Sequence, residues 1–376
     1  MGGTSSIPRW ADIVLLPLLN LILAFLISGL VVLMIGENPL MAYYAIFYGA
    51  FGSGDGLGYT LYYATNFVFT GLAVAIAAHA GLFNIGAEGQ AYVAGLGAIL
   101  VALALDQTSV FLVVPLAILG AAAFGGMWAA IPGWLQAKRG SHIVITTIMF
   151  NFIASAAMIY VLNRFLKPAG SNGLESRVLD QTAWMPQLRL FMPGFGFSPV
   201  NLSIVLALLL LVGFYILVWH TKFGFALRTM GKNPLASRYA GMSNVKLIVI
   251  TMAISGGLAG MMAINQVLGL NHRLVENFVA GAGFVGIAVA LMGRNHPVGI
   301  ALAALLFGVL YQGGSEMQFV MPNVNKEVVS VVQALVILFT GAMEGLFRPS
   351  LERLFAGWGG SGKAEAIART TAGSES

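Results

Sequence analysis

Long apolar runs, separated by short polar segments, make up most of this chain. Each run is about 20 residues long, the length that an α-helix needs to cross the hydrocarbon core of a bilayer. The pattern predicts spans at residues 11–35, 60–80, 85–105, 109–136, 142–163, 200–220, 246–269, 278–293, 297–315 and 327–347. The 278–293 run is short, and the 85–105 run begins inside a polar motif. We therefore predict an all-α polytopic membrane protein with about ten transmembrane helices, some of them short or broken.

Composition supports a membrane protein. Only 9% of the 376 residues are charged, whereas a soluble domain has about a quarter. The 47 glycines suit close packing of transmembrane helices. The absence of cysteine excludes disulfides, a thiol nucleophile and a cysteine metal site. The first apolar run is too long for a signal-peptide core, so we expect it to remain as a membrane anchor.

The distribution of positive charge predicts the orientation. If both termini are cytoplasmic, all but six of the 19 Lys and Arg residues lie on the cytoplasmic side, as the positive-inside rule requires. The six outer residues are Arg164, Lys167, Arg177, Arg189, Arg273 and Lys326. We expect a multi-pass protein of the cell (inner) membrane with cytoplasmic termini. The basic pI then reflects topology, and no nucleic acid partner is expected.

Three segments outside the spans have distinct compositions. Residues 164–199 form the largest outer loop, contain Pro, Gly and Trp, and are expected to fold as a small cap; residues 38–56 are expected at the outer interface. We predict one transmembrane domain over residues 1–355 and a disordered cytoplasmic tail over 356–376. Within the tail, "GWGGSGKA" (357–364) nearly matches a phosphate-binding loop. Ala364 replaces the Mg²⁺-binding hydroxyl and no strand precedes the motif, so we exclude ATP binding there.

The segment "KFGFALRTMGKNPLASRYAGMSNVK" (222–246) predicts two short helices on the cytoplasmic side. The first ends at Gly231, which suits the left-handed position after a helix. Asn233 can cap the second helix, with Pro234 at its first position, and Gly241 ends it. Basic charge comes from Arg228, Lys232 and Arg238. Such a basic pair could bind anionic lipid or dock a cytoplasmic protein.

The motif "GLFNIGAEGQ" (81–90) places polar residues inside an apolar region. Its three glycines predict a break or re-entrant turn near the cytoplasmic end of the second span. On a helix, Asn84 and Glu88 would be i, i+4 neighbours beside the small residues Ala87, Ala91 and Gly95. The polar side chains either hydrogen-bond the broken backbone and adjacent helices or line a path across the membrane.

The same two roles are open for the other polar residues inside predicted spans, which are Asn66, Asn151, Asn265, Gln266, Gln312 and Gln333. As candidates for the translocation path or for helix packing we select Asn66, Asn84, Glu88, Gln90, Asn151 and Gln266.

Four stretches resemble one family. The motifs at 81–90 and 222–246, together with "ITTIMFNFIA" (145–154) and "GFVGIAVALMGRNHPVGI" (283–300), are similar to ABC-importer permeases of the branched-chain amino acid/ribose/nucleoside class, in its nucleoside-type branch. The resemblance implies that residues 222–246 are the coupling loop that docks on an ATPase. By position, it makes Arg228, Gly231, Asn233, Arg238 and Gly241 the docking residues. Ile143 stands where the family often has Glu, so no role of that Glu is transferred.

The resemblance implies a permease subunit of an ATP-driven importer and not an enzyme. It would form the path for nucleosides or related small polar solutes delivered by an external binding protein. Implied partners are an ATP-binding subunit, a second homologous permease, a substrate-binding lipoprotein or periplasmic protein, and membrane lipid. ATP and Mg would bind the partner ATPase, with no cofactor on this chain.

Other functions stay open at this point. The same permease role could serve simple sugars, branched-chain amino acids or a vitamin. An ion-coupled secondary transporter would need ionisable residues deep in the membrane, which are scarce here. A membrane enzyme would need clustered His, Asp or Glu, and the sequence pattern offers no such cluster.

Overall fold

A computed structural model describes residues 15–342 and the isolated positions 8, 11 and 351. Within this part, the chain forms thirteen α-helices and no strand, with two isolated β-bridges, Glu175–Val275 and Gln187–Asn201. The all-α prediction is confirmed. The predicted tail, with its glycine-rich motif at 357–364, lies outside the described residues.

The helices are α1 (Leu16–Met34), α2 (Pro39–Phe51), α3 (Gly54–His79), α4 (Ala87–Leu105), α5 (Val110–Arg139), α6 (Ile143–Val161), α7 (Ser203–His220), α8 (Lys222–Lys232), α9 (Pro234–Tyr239), α10 (Asn244–Ala263), α11 (Ala282–Met292), α12 (Pro297–Val320) and α13 (Lys326–Ala342). Wider π-helical turns continue α6 over Leu162–Leu166 and α10 over Ile264–Asn271.

Seven helices in the described ranges are long and apolar enough to cross a membrane: α3, α4, α5, α6, α7, α10 and α12. α1 and α2 together form one bent apolar pair, with 118° between the two helices. The predicted 278–293 span is the short helix α11, and the 327–347 span is described only as far as residue 342. The chain is a multi-pass membrane protein.

Two compact units divide the chain. The first comprises Met1–Tyr44 and Met317–Ser376, and the second comprises Ala45–Glu316. In the first unit, α1 packs against α13, and the Tyr43 hydroxyl donates a hydrogen bond to the Phe25 carbonyl. The second unit contains every residue of the candidate site.

Helices of the second unit approach one another at glycines. At the crossing of α5 and α10, a Cβ atom on Gly125 or Gly256 would overlap the other residue's carbonyl group. Gly97 of α4 and Gly120 of α5 are similarly close. Without a hydrophobic force between helices in lipid, such small-residue contacts supply the van der Waals packing.

The loop at residues 164–199 is held to the helix ends by ion pairs. Arg177 donates to the buried Asp106 carboxylate at 2.5 and 3.1 Å, and this hydrogen bond lowers the pKa of Asp106 below its ordinary value. Arg273 pairs with Glu175 at 2.9 Å. Trp184 stacks on His272 with 3.8 Å between ring centroids. Residues 164–199 are therefore a segment of short turns fixed to the helix ends, and their position on the outer side stays a prediction.

Candidate functional site

The polar motif at 81–90 lies where a helix is broken. α3 ends at His79, residues 80–86 form a non-helical turn with Gly81 at φ +72°, and α4 begins at Ala87. The predicted break is confirmed. The prediction that Asn84 and Glu88 are helical i, i+4 neighbours is wrong, because Asn84 precedes the helix. A bend of this kind exposes backbone groups that need partners inside the membrane.

Asn84 ties the broken segment to its neighbours. This fully buried amide donates to Ser255 of α10 at 2.8 Å and exchanges two hydrogen bonds of 3.1 Å with Gln90. Its oxygen also accepts from the Gly86 N–H at 2.8 Å. Ser255 in turn donates to the Ala73 carbonyl of α3 at 2.5 Å. Asn84 and Gln90 therefore use their hydrogen-bonding capacity inside the protein.

Asn151 of α6 satisfies two backbone groups of the same motif. Its amide donates to the Ile85 carbonyl at 2.9 Å, and its oxygen accepts from the Gly89 N–H at 2.9 Å. A Cβ atom at Gly89 would come within 2.7 Å of the Asn151 Cα atom. Because Gly89 has no side chain, α4 can approach α6 closely enough for Asn151 to bond both backbone groups.

Glu88 caps a second helix. Its carboxylate, 6% exposed, accepts from the N–H groups of Gly281 and Gly283, each at 2.8 Å. Gly281 precedes α11 and Gly283 lies in its first turn. Glu88 also lies in the first turn of α4. The positive ends of two helix dipoles therefore meet at one carboxylate and attract its negative charge.

α11 is held at both of its ends. It has 11 residues and is about 16 Å long, roughly half of what a helix needs to cross the ~30 Å hydrocarbon core of a bilayer. At its other end, His79 Nε2 donates to the Asn295 carbonyl at 3.1 Å. The two residues that hold α11, Glu88 and His79, flank the broken segment.

A second buried network joins α3, α7 and α10. Asn265 donates to Asn66 at 2.8 Å and to the Tyr62 carbonyl at 3.1 Å, and it accepts from Asn201 and Ser203. Gln266 is half-buried and accepts from the Tyr62 hydroxyl at 2.5 Å. Asn66 therefore joins helices through a buried hydrogen bond, whereas Gln266 is only half-buried.

The predicted coupling segment, residues 222–246, contains two short helices that follow α7. Asn233 ends α8 and caps α9, accepting from the N–H groups of Leu235 and Ala236 at 3.0 Å each. Gly241 has a φ of +77° just after α9. Arg238 is exposed, while Arg228 is half-buried and donates to the Gly224 carbonyl. Asn233 and Gly241 therefore shape this segment as predicted.

Gly231 has a different role from the predicted one. α8 continues through Lys232, so the expectation of a left-handed Gly231 after the helix is wrong. Gly231 instead packs backbone to backbone on the turn at 79–81, where a Cβ atom would overlap the His79 carbonyl oxygen. The coupling segment thus touches the turn that leads into Asn84 and Glu88.

Several site residues were not selected from the sequence. Ser255, His79, Gly281 and Gly283 each serve the broken-helix motif through contacts between residues distant in sequence. The glycines of "AGAG" (280–283) were a usable signal, because a glycine-rich run before a short apolar stretch is typical of a helix start inside a membrane. Ser255 and His79 had no comparable signal.

Broken helices that meet at a buried polar centre define the class as membrane transport proteins. The chain belongs to the branched-chain amino acid transport system/permease component family, whose pattern matches residues 56–341. It is therefore a transport subunit, and proteins of this kind work with a separate ATPase subunit and a substrate-binding protein.

Three relatives align with most of the chain. The guanosine ABC transporter permease protein NupP of Bacillus subtilis is 38% identical, over 87% of this chain and 93% of that protein. The nucleoside ABC transporter permease protein NupB of Lactococcus lactis is 34% identical, over 87% and 90%. The glucose ABC transporter permease protein TsgB13 of Haloferax volcanii is 33% identical, over 86% of each.

Proposed function

We propose that this chain forms the translocation path for nucleosides in an ATP-driven importer. The observation that carries this proposal is the contact of Gly231 with the turn at 79–81. It connects an exposed helix pair to the polar centre held by Asn84 and Glu88. Movement of α8 can therefore change the position of α11 without any intervening flexible loop.

The exposed side of α9 is suited to docking on the ATPase. Leu235 and Tyr239 are 64% and 93% exposed, and the positive charge of Arg238 lies between them in sequence. The buried Ser237 faces inward and donates to Asn244 at the start of α10. An apolar and basic surface on a rigidly anchored helix is typical of a protein interface.

The proposed cargo follows from the relatives. The two most similar of the three reported proteins carry guanosine or nucleoside in their names, whereas the third carries glucose. We accordingly rank nucleosides first and simple sugars second. Selectivity would come largely from the external binding protein.

The proposed assembly contains this chain, a second homologous permease, an ATP-binding subunit and an external lipoprotein or periplasmic binding protein. ATP and Mg²⁺ act on the ATP-binding subunit, and membrane lipid surrounds the spans. We propose that both termini lie in the cytoplasm, so that α8 and α9 face the ATPase. Arg228, Gly231, Asn233, Arg238 and Gly241 form or shape the docking segment.

Ion-coupled transport is the alternative that this geometry disfavours. A coupling carboxylate must exchange its proton or cation in each cycle. The Glu88 carboxylate is instead held by two backbone N–H donors at 2.8 Å. Its role in helix capping leaves it poorly placed to release and rebind an ion.

Uptake of radiolabelled guanosine by cells expressing the chain with its partner subunits tests the proposal. We expect uptake that is lost on ATP depletion and unaffected by a protonophore when ATP is maintained. Protonophore-sensitive uptake with ATP maintained would support ion coupling instead. If the cells take up glucose but not guanosine, the proposed cargo is wrong and the proposed importer role stands.

A further inference from the structure

Three of the half-buried polar or aromatic side chains in the second unit lie close to one another. They are Tyr63 on α3, Gln266 in the π-helical continuation of α10, and Tyr311 on α12. Tyr63 lies about 14 Å along α3 from its start, and Tyr311 about 21 Å along α12. Both tyrosines therefore lie midway along helices that are long enough to span a membrane, and Gln266 lies beside them through its hydrogen bond with Tyr62.

Their rings belong to one aromatic cluster. The centroid of Tyr63 lies 5.3 Å from that of Tyr62 and 5.7 Å from that of Tyr311. The ring centroid of Phe67 lies 4.9 Å from that of Tyr311, and Phe67 is itself fully buried. The cluster thus has a packed back, formed by Tyr62 and Phe67, and an accessible front, formed by Tyr63 and Tyr311.

The front of this cluster carries free hydrogen-bonding groups. Tyr62 donates its hydroxyl to Gln266 Oε1 at 2.5 Å, which directs the Nε2 amide of Gln266 away as a donor. Among the described residues, neither this amide nor the hydroxyls of Tyr63 and Tyr311 has a protein partner. Three donors therefore accompany two accessible aromatic rings.

The position of α3 decides what this front faces. α3 is an interior helix, because most of its residues are buried inside the protein. Unpaired polar groups at membrane depth are tolerated where they line a water-filled path and are costly against lipid.

We propose that Tyr63, Gln266 and Tyr311 form the contact surface for the nucleobase during translocation. This inference rests on the proposed function and names the residues that meet the cargo. A planar heteroaromatic base can stack on a tyrosine ring, and its ring nitrogens and carbonyl oxygens can accept from Gln266 Nε2 and the hydroxyls. Stacking tolerates any base, as a path with weak selectivity requires.

The test uses the complete importer in vesicles, with saturating binding protein and radiolabelled guanosine. We expect Tyr63→Leu and Tyr311→Leu to lower the maximal uptake rate about 10-fold, the effect of losing one base–aromatic stacking contact. Tyr63→Phe and Tyr311→Phe keep the ring and should retain most of the rate. Gln266→Leu should lower the rate by less than the Leu variants of the tyrosines.

Tyr160→Leu is the matched control, since Tyr160 is 64% exposed on α6 and lies outside the cluster. Its uptake should equal that of the wild type, and thermal stability should be measured for every variant. If guanosine uptake by the wild type persists while the Leu and Phe variants at each position behave alike, the inference is wrong and the proposed function stands. If the wild type carries no nucleoside, the proposed function fails first.

Discussion

Gly231 of α8 lies against the carbonyl oxygen of His79, the last residue of α3, so closely that no side chain fits between them. The neighbouring Gly81 is also close, because a Cβ atom at Gly81 would lie 3.1 Å from the Gly231 carbonyl oxygen. Two glycines from segments about 150 residues apart thus create a direct backbone contact. This contact joins the coupling segment to the broken helix.

Gly231→Ala should weaken that contact. Overpacking a tight site costs about 1–3 kcal/mol, which exceeds the gain of up to about 1 kcal/mol from replacing glycine in a helix. We expect lower thermal stability and at least about fivefold slower uptake, measured on the assembled importer. Gly213→Ala on α7 is the control, because a Cβ atom there meets nothing within 4 Å. Equal behaviour of the two variants would contradict the transmission role of Gly231.

Arg238→Glu should weaken association with the ATPase. Arg238 is exposed on α9, so the reversal leaves the spans folded while changing the charge of the docking surface. We expect roughly a 10-fold loss of affinity, about 1.4 kcal/mol, in a binding measurement between purified subunits. Arg164→Glu makes the same charge change at the other end of the bundle and should have no effect. If the Arg238 variant associates normally with the ATPase, α9 is not the docking surface.

Glu88→Gln should destabilise the start of α11. An amide oxygen can accept from one of the two N–H groups, and the amide nitrogen would then face the other donor. We expect the free energy of unfolding to fall by about 1.5–3 kcal/mol, while residual uptake stays independent of a protonophore.

Glu276→Gln is the matched control for Glu88, because Glu276 is exposed in the segment before α11. It should leave stability unchanged. If Glu88→Gln abolished uptake with normal stability and normal ATP hydrolysis, capping would not explain the residue, and ion coupling would have to be reconsidered.

The loop at residues 164–199 should detach from the helix ends in acid. Hydrogen bonding to Arg177 lowers the pKa of Asp106 below its ordinary 3.8. Its contribution to stability is therefore complete above that ordinary pKa and is lost as the pH falls through the lowered value. We expect proteolytic cleavage within residues 164–199 to be constant from pH 8 to 5 and to rise only below about 4.

Asp106→Asn provides the comparison for the acid experiment. It removes the charge at every pH, so cleavage of the outer segment should already be raised at pH 7 and should change little on acidification. A wild-type transition between pH 5 and 7 would assign the attachment to another group.

The sequence predicted those features that depend on local patterns. Run length and hydrophobicity indicated the all-α membrane fold, because the bilayer sets the length of a spanning helix. Asn233 and Pro234 indicated the start of α9, and the glycines of 81–90 indicated the break, because capping and turn preferences act over a few residues.

Only the tertiary structure decided what the polar residues do. The Glu88 carboxylate meets N–H groups 193 and 195 residues away, and Asn84 meets Ser255 across 171 residues. Helical periodicity cannot report such distances, so it placed Asn84 on the wrong element. The preference of glycine for helix ends likewise could not show that Gly231 packs on the turn at 79–81. The sequence determined which polar residues lie within the apolar segments. The packing of distant helices determined which hydrogen-bond partner each of them has, because buried polar groups in a membrane must find partners within the protein.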